Sequence, residues 1–259
     1  MNGFLIDLDG TLYRGSERIE YADDFVRWLK LKKYSYLYVT NNSSRTPEQV
    51  AAHLQGMGIA AQPGDVVTSG QAAAEYIVKQ NRGRKVYMIG EHGLEQALRE
   101  AGLELTEDDP DYVVQGIDRQ LTYGKLEKAV RHILAGAESI LTNPDHLIPN
   151  DGGLSPGAGS IAAAIRTASG REPVVIGKPF PHIMQYAIAR IGLPVENIWV
   201  VGDNLRTDIA GGKAARCRTA LVMTGVTTPD QLDAQIHQTG TVPDLVASHL
   251  MELADRIGD

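Results

Sequence analysis

Short apolar runs of strand character alternate with amphipathic segments along the whole chain, and that alternation limits the fold more than any other feature. Phe4-Leu5-Ile6, Tyr36-Leu37-Tyr38-Val39 and Ile198-Trp199-Val200-Val201 are uniformly apolar, as strands buried on both faces of a parallel sheet are. Between them, Tyr21 to Lys33 sets Phe25, Val26, Leu29 and Leu31 among charges, a helical pattern. Thr46-Pro47-Glu48-Gln49 reads as a helix start with proline in the first turn. Strand–helix–strand order at this spacing calls for right-handed crossovers. The predicted class is α/β with a parallel sheet.

Three such series follow one another. The first has strands at Phe4–Ile6, Tyr36–Thr40 and Val66–Ser69. After the polar break Gln80–Arg84, a second has strands at Lys85–Ile89, Tyr112–Val114 and Ser139–Thr142, then a Gly- and Pro-rich loop from Asn143 to Gly159. A third resumes with the strand read at Pro173–Pro179 and continues through Ile198–Val201, Thr219–Met223 and Leu245–Val246. Ligands of open α/β sheets bind beyond the carboxyl ends of strands. There the first and third series carry Asp7, Asp9, Thr40, Asn41, Ser69 and Gly202-Asp203, whereas the second has no acidic edge. The asymmetry predicts a discontinuous core, residues 1–80 and 173–259, with residues 81–172 inserted as a lid. Asp7, Asp9, Thr40, Asn41 and Ser69 are expected to face one crevice.

Charge and cysteine content narrow the function classes. The 259 residues carry a formal net charge of −7, which leaves no basic surplus for a nucleic-acid polymer. Cys217 is the only cysteine, so the chain forms no internal disulfide, and a reducing compartment is expected. No apolar stretch approaches the roughly 20 residues that a membrane helix needs. Met1-Asn2-Gly3 leads straight into the first strand without a targeting pattern. The expected location is the cytoplasm, with no membrane partner.

The polar strand ends suggest a chemistry. Asp7, Asp9 and Asp203 offer oxygen ligands, and Asp208 follows five residues after Asp203. Such donors suit Mg²⁺, which is usually held by one or two carboxylates together with substrate phosphate. Lys178 supplies a cation, and Thr40 with the backbone N–H groups after Leu8 and Thr40 supplies donors. Together they suit a phosphoryl group, whose transfer needs positioning and electrostatic stabilisation. No cysteine lies near this edge, and the serines there have no evident histidine base. The nucleophile read from the residues is therefore an aspartate, which can form an aspartyl-phosphate.

Asp7-Leu8-Asp9-Gly10-Thr11-Leu12-Tyr13 resembles the first motif of the haloacid dehalogenase superfamily. Thr40-Asn41-Asn42, Gly177-Lys178-Pro179 and Gly202-Asp203-Asn204-Leu205-Arg206-Thr207-Asp208 resemble its other three, in the same order. The likeness is greatest to the branch of NagD-like nucleotide and sugar phosphatases, p-nitrophenylphosphatases and pyridoxal phosphate phosphatase. It implies a Rossmann-like parallel sheet core with an inserted smaller α/β cap that selects substrate. It also implies that Asp7 is the nucleophile and Asp9 the general acid and base. Mg²⁺ would be held by the Asp7 side chain, the Asp9 carbonyl and Asp203, with Asp208 behind them orienting a metal-bound water. Leu8, Thr40, Asn41 and Lys178 would bind the phosphate. Superfamily members whose main task is transfer without hydrolysis carry threonine at the second aspartate, so Asp9 favours a phosphatase.

The substrate expected is a small phosphorylated metabolite, such as a nucleotide or sugar phosphate. A phosphomutase shares the two-aspartate motif but usually carries a helical cap between the first two motifs, and the stretch from Leu12 to Thr40 is too short for one. A catalytically silent binding protein is the third reading, and the intact motifs argue against it. In the cap, Asn143, Asp145 and His146 resemble a substrate-facing loop of the family, although an Asn-Pro-Asp turn accounts for the same residues equally well. Caps of this kind often provide a dimer contact, so a homodimer through the cap is a further expectation.

Overall fold

The structure, a computed structural model, describes residues 2–150 and 153–258. In chain order the strands are β1 (Gly3–Ile6), β2 (Tyr13–Arg14), β3 (Glu17–Arg18), β4 (Ser35–Thr40), β5 (Val66–Thr68), β6 (Lys85–Ile89), β7 (Glu104–Leu105) and β8 (Tyr112–Gln115). They continue with β9 (Glu138–Leu141), β10 (Leu147–Asn150), β11 (Gly153–Pro156), β12 (Val174–Val175), β13 (Ile198–Gly202), β14 (Arg218–Val222) and β15 (Leu245–Ala247). The chain forms two compact units. One holds the residues up to Thr40, Glu48–Val67 and those from Lys178 onward; the other holds Asn41–Pro47 and Thr68–Gly177.

A six-stranded sheet in the order β15-β14-β13-β1-β4-β5 centres the first unit. Its strand β1 pairs in parallel with β13 on one side and β4 on the other. From β1 the chain builds outward through β4 and β5, then returns to build β13, β14 and β15 on the opposite side. The order reverses between β1 and β13, so their carboxyl ends form the crevice where open α/β sheets bind ligands.

Every residue of β1 and β13 is buried, which is why both read as unbroken apolar runs. Phe4 stacks its edge on Phe25 and Trp28, with ring centroids 6.1 and 6.0 Å away. This ties helix α1 (Ala22–Leu31) to the sheet. Burying a side chain of this size contributes about 1.5–3 kcal/mol. Asp23 and Asp24 in the first turn of α1 and Lys30 in its last complement the helix dipole.

The second unit contains a five-stranded parallel sheet in the order β12-β9-β8-β6-β7 and an antiparallel hairpin, β10–β11. Local chemistry fixes its helix starts. Before the helix Ser69–Gln80, Thr68 Oγ1 accepts from Gln71 N–H and Gln71 Oε1 accepts from Thr68 N–H, both at 3.1 Å. This is the reciprocal cap that the Thr-x-x-Gln spacing encodes. Thr122 caps Tyr123–Ala135 one way only, its hydroxyl accepting from Lys125 N–H at 3.3 Å, and Gly136 ends that helix at φ +117°, a conformation that glycine adopts cheaply.

Three elements differ from the sequence reading. The strand expected at Pro173–Pro179 shortens to Val174–Val175 and pairs with β9, so it lies in the second sheet. A strand's partner is set by distant residues, which an apolar run does not encode. The loop expected at 143–159 contains the hairpin β10–β11, and Leu12 is followed by a second small hairpin, β2–β3. Among the described residues, no helix is long and apolar enough to cross a membrane.

Candidate active site

Asp7 follows β1 directly, and its N–H still donates to Val201 O at 2.9 Å, so the sheet holds it in place. The chain then turns sharply. Leu8 O accepts from the N–H groups of Thr11, Leu12 and Tyr13, and Gly10 sits at φ +82°. Leu8 is buried in the core beneath this turn, whereas the Asp9 side chain is exposed. Asp203 occupies the corresponding position after β13.

Asp7, Asp203 and Asp208 each bring a carboxylate oxygen within 4.8 Å of the others. Lys178, itself 3% exposed, lies among them. Its ammonium donates to Asp7 Oδ1, to Asp208 Oδ1 at 2.7 Å and to Val39 O at 3.3 Å. The Thr11 hydroxyl lies 3.4 Å from Asp7 Oδ2 and 3.3 Å from Asp203 Oδ1 as their shared donor. Asp203 Oδ2 accepts from Val226 N–H at 2.5 Å. Asp208 stands in a π-helical turn, Leu205–Ile209, and its second oxygen accepts from Asn204 N–H at 3.1 Å. Thr40, at the end of β4, belongs to the same unit and is buried.

The electrostatics leave this cluster short of positive charge. Burial first, and then the neighbouring Asp208, hold the Asp7 carboxyl well above the usual carboxylate range, against the pull of Lys178. Burial and Asp208 push Asp203 up to about 6. Burial alone would lower the Lys178 ammonium, but Asp208 and Asp7 raise it, so it stays charged. Two buried carboxylates and the half-buried Asp7 thus face one cation, an arrangement that is costly without more positive charge. A divalent ion could supply the missing charge, and an all-oxygen donor set is the kind Mg²⁺ takes. Both oxygens of all three aspartates accept a hydrogen bond, and each carboxylate keeps further lone pairs that could face a metal.

The other predicted residues gather in the second unit. Asn41 O accepts from Ser69 Oγ at 2.6 Å and from Asn143 Nδ2 at 2.9 Å. Asn143 Oδ1 accepts from Asp145 N–H at 3.1 Å, and Asn41 Nδ2 lies 3.5 Å from Asp145 Oδ2. Asn143 is buried, Asp145 is half-buried and His146 is exposed.

Two family models match the chain. One described as haloacid dehalogenase-like hydrolase covers residues 4–104, and an HAD-hydrolase-like one covers residues 175–253. The 5'-nucleotidase YutF of Bacillus subtilis is 47% identical over 225 residues, 87% of this chain and 88% of that protein. The chain belongs to the haloacid dehalogenase-like hydrolases, as a phosphatase of the NagD-like branch. Solved structures of this family agree. The p-nitrophenyl phosphatase from Archaeoglobus fulgidus superposes with a TM-score of 0.93 at 36% identity, covering 98% of both chains. NagD from E. coli K-12 gives 0.90 at 30% identity, covering 96% of this chain and 97% of that one.

The family motifs include neither Thr11's double contact as a named role nor the Val226 N–H, and sequence reasoning missed both. Thr11 was visible in the first motif, but its position between two carboxylates requires β1 and β13 to be neighbours. Thr224-Gly225-Val226-Thr227 directly after β14 offered a weaker signal, a glycine in a polar strand end.

Proposed function

We infer that this phosphatase is a Mg²⁺-dependent phosphomonoester hydrolase that acts on a small phosphorylated metabolite through an aspartyl-phosphate on Asp7. The observation that carries the reading is the Asp7–Asp203–Asp208 cluster around Lys178. Asp7 and Asp203, with the Asp9 carbonyl, would hold the metal, and Asp208 would position Lys178 and a metal-bound water. When bound, Mg²⁺ supplies charge that offsets the carboxylates and the incoming phosphate.

An Asp7 oxygen attacks phosphorus, a P–O bond forms to the carboxylate, and the bond to the leaving alcohol breaks. Asp9 donates its proton to that alkoxide. It then takes a proton from the water that attacks phosphorus, which releases phosphate and restores the Asp7 carboxylate. The two aspartates must start in opposite protonation states, Asp7 ionised and Asp9 protonated; the Lys178 ammonium beside Asp7 favours the ionised form there. Lys178, Thr40 and the N–H groups of Leu8 and Asn41 would bind the phosphoryl oxygens. The second unit is assigned the choice of leaving group, with Asn143, Asp145 and His146 as its specificity residues. Nucleoside monophosphates are the first substrate class to test, since YutF is named a 5'-nucleotidase.

Purified protein should release phosphate from p-nitrophenyl phosphate with Mg²⁺ and stop on addition of EDTA. Undiminished turnover in EDTA would overturn the metal assignment.

A further inference from the structure

Arg14 lies outside all four motifs, yet it is joined to the candidate metal carboxylate through one short loop. Its guanidinium donates twice to Thr224 O, from Nε at 3.0 Å and from Nη2 at 2.5 Å. Thr224 Oγ1 in turn donates to Gly10 O at 2.7 Å. Two residues on, Val226 N–H donates to Asp203 Oδ2, and Thr227 N–H donates to Asp203 O at 3.1 Å. Between them, Gly225 packs so closely that a Cβ there would fall within the Asp203 carboxylate. Thr227 Oγ1 accepts from Leu205 N–H at 3.3 Å, which closes the loop onto the turn that carries Asp208.

We propose that Arg14 is a positioning residue for the metal site, clamping the Thr224–Thr227 loop so that Val226 N–H and Gly225 fix the rotamer of Asp203. The inference rests on the metal reading given above. Three features support the clamp. A guanidinium donating two bonds to one carbonyl restrains that carbonyl in direction as well as distance. The loop it restrains touches Asp203 through backbone groups, so the loop's position translates directly into the carboxylate's position. Arg14 also belongs to the hairpin β2–β3 that follows the Asp7–Thr11 turn, so one residue ties the first-motif hairpin to the last-motif aspartate. Groups that orient a metal ligand commonly affect metal affinity as strongly as a weak ligand does.

Mg²⁺ titration of the wild-type protein and of Arg14→Ala and Arg14→Lys by calorimetry tests this, with thermal melts of the metal-free proteins alongside. Arg14 and Thr224 border an open cleft of about 290 Å³, so truncating the exposed arginine leaves no buried void. The Mg²⁺ dissociation constant should rise roughly tenfold in Arg14→Ala. It should rise less in Arg14→Lys, which keeps a single donor, and metal-free melting temperatures should match. Turnover of Arg14→Ala should recover toward wild type at saturating Mg²⁺. Wild-type Mg²⁺ affinity in Arg14→Ala overturns the proposal, whether or not its melting temperature falls. If the wild-type protein itself binds no Mg²⁺, the functional reading fails and the clamp fails with it.

Discussion

Gly10 closes directly over Asp203: a Cβ added at position 10 would land in that carboxylate, and the residue's φ of +82° is one that side-chain-bearing residues adopt only at a cost. Both constraints act on one position. Gly10→Ala should therefore lose about 1–2 kcal/mol of stability from the backbone conformation, and far more in turnover because Asp203 must move. Urea denaturation and steady-state kinetics on the same preparation separate the two effects. A variant with wild-type kcat and Mg²⁺ dependence would show that Asp203 tolerates displacement and does not hold the metal.

Lys178 is the buried counter-ion of two carboxylates, Asp7 and Asp208. Lys178→Met keeps the apolar stem and removes the charge. Both acids then stand without their cation, a loss of roughly 3–5 kcal/mol for breaking a buried pair. The sign with pH is fixed by Asp7, whose carboxyl is already raised by burial and loses the lowering pull of Lys178: it binds its proton more readily when folded than when unfolded, so the variant gains stability relative to wild type as pH falls from neutral. Denaturation at pH 5 and pH 7.5 measures this. An equal deficit at both would mean that Lys178 does not hold down the Asp7 proton affinity.

The first sheet was legible because Phe4–Ile6 and Ile198–Val201 are apolar throughout and end in aspartates, a pattern that buried parallel strands require. What escaped the sequence is mainly pairing. Val174-Val175 is as apolar as a core strand, yet it joins β9, and nothing within two residues could specify that partner. Ser69 donates to Asn41 O in the second unit, a contact that its place at a strand end did not announce. The hairpin β10–β11 has no alternation to betray it, since Leu147 and Leu154 are both exposed. At the site, the clustering of Lys178 with Asp7 and Asp208 follows once strand order is known. The Gly225–Val226 contact on Asp203 depends on a loop conformation that no motif encodes.

If Asp203 holds the proposed metal, it sets a pH limit on binding. In the metal-free protein its carboxyl is raised from the ordinary value to about 6, and Asp7 is raised in the same direction. A raised carboxyl binds its proton more tightly in the folded state, so metal-free stability falls as pH rises through the interval up to about 6 and levels off above it. Mg²⁺ bound there would take the deprotonated form, so the stabilisation it gives should be full above about pH 6 and be lost as pH drops below. Melting curves with and without Mg²⁺ from pH 5 to pH 7.5 should show the melting-temperature difference shrinking at the acid end. A difference that stays constant across that range would mean that Asp203 carries no proton to displace.

The Asn143–His146 segment divides two roles that its sequence left open. Asn143 is buried, with its amide nitrogen on Asn41 O and its amide oxygen on Asp145 N–H, so it holds the turn. Asn143→Ala removes both of these bonds, although Asn41 O keeps the Ser69 hydroxyl, and should cost about 1–3 kcal/mol. His146 is exposed, and its removal should leave stability unchanged. As a specificity residue, His146→Ala should alter the ratio of kcat/KM between a nucleoside monophosphate and a sugar phosphate while leaving the small substrate p-nitrophenyl phosphate nearly unaffected. Kinetics on those three substrates, with a melt for each variant, decide the matter. If the ratio in His146→Ala equals that of the wild type, His146 is only the exposed end of the turn that Asn143 builds.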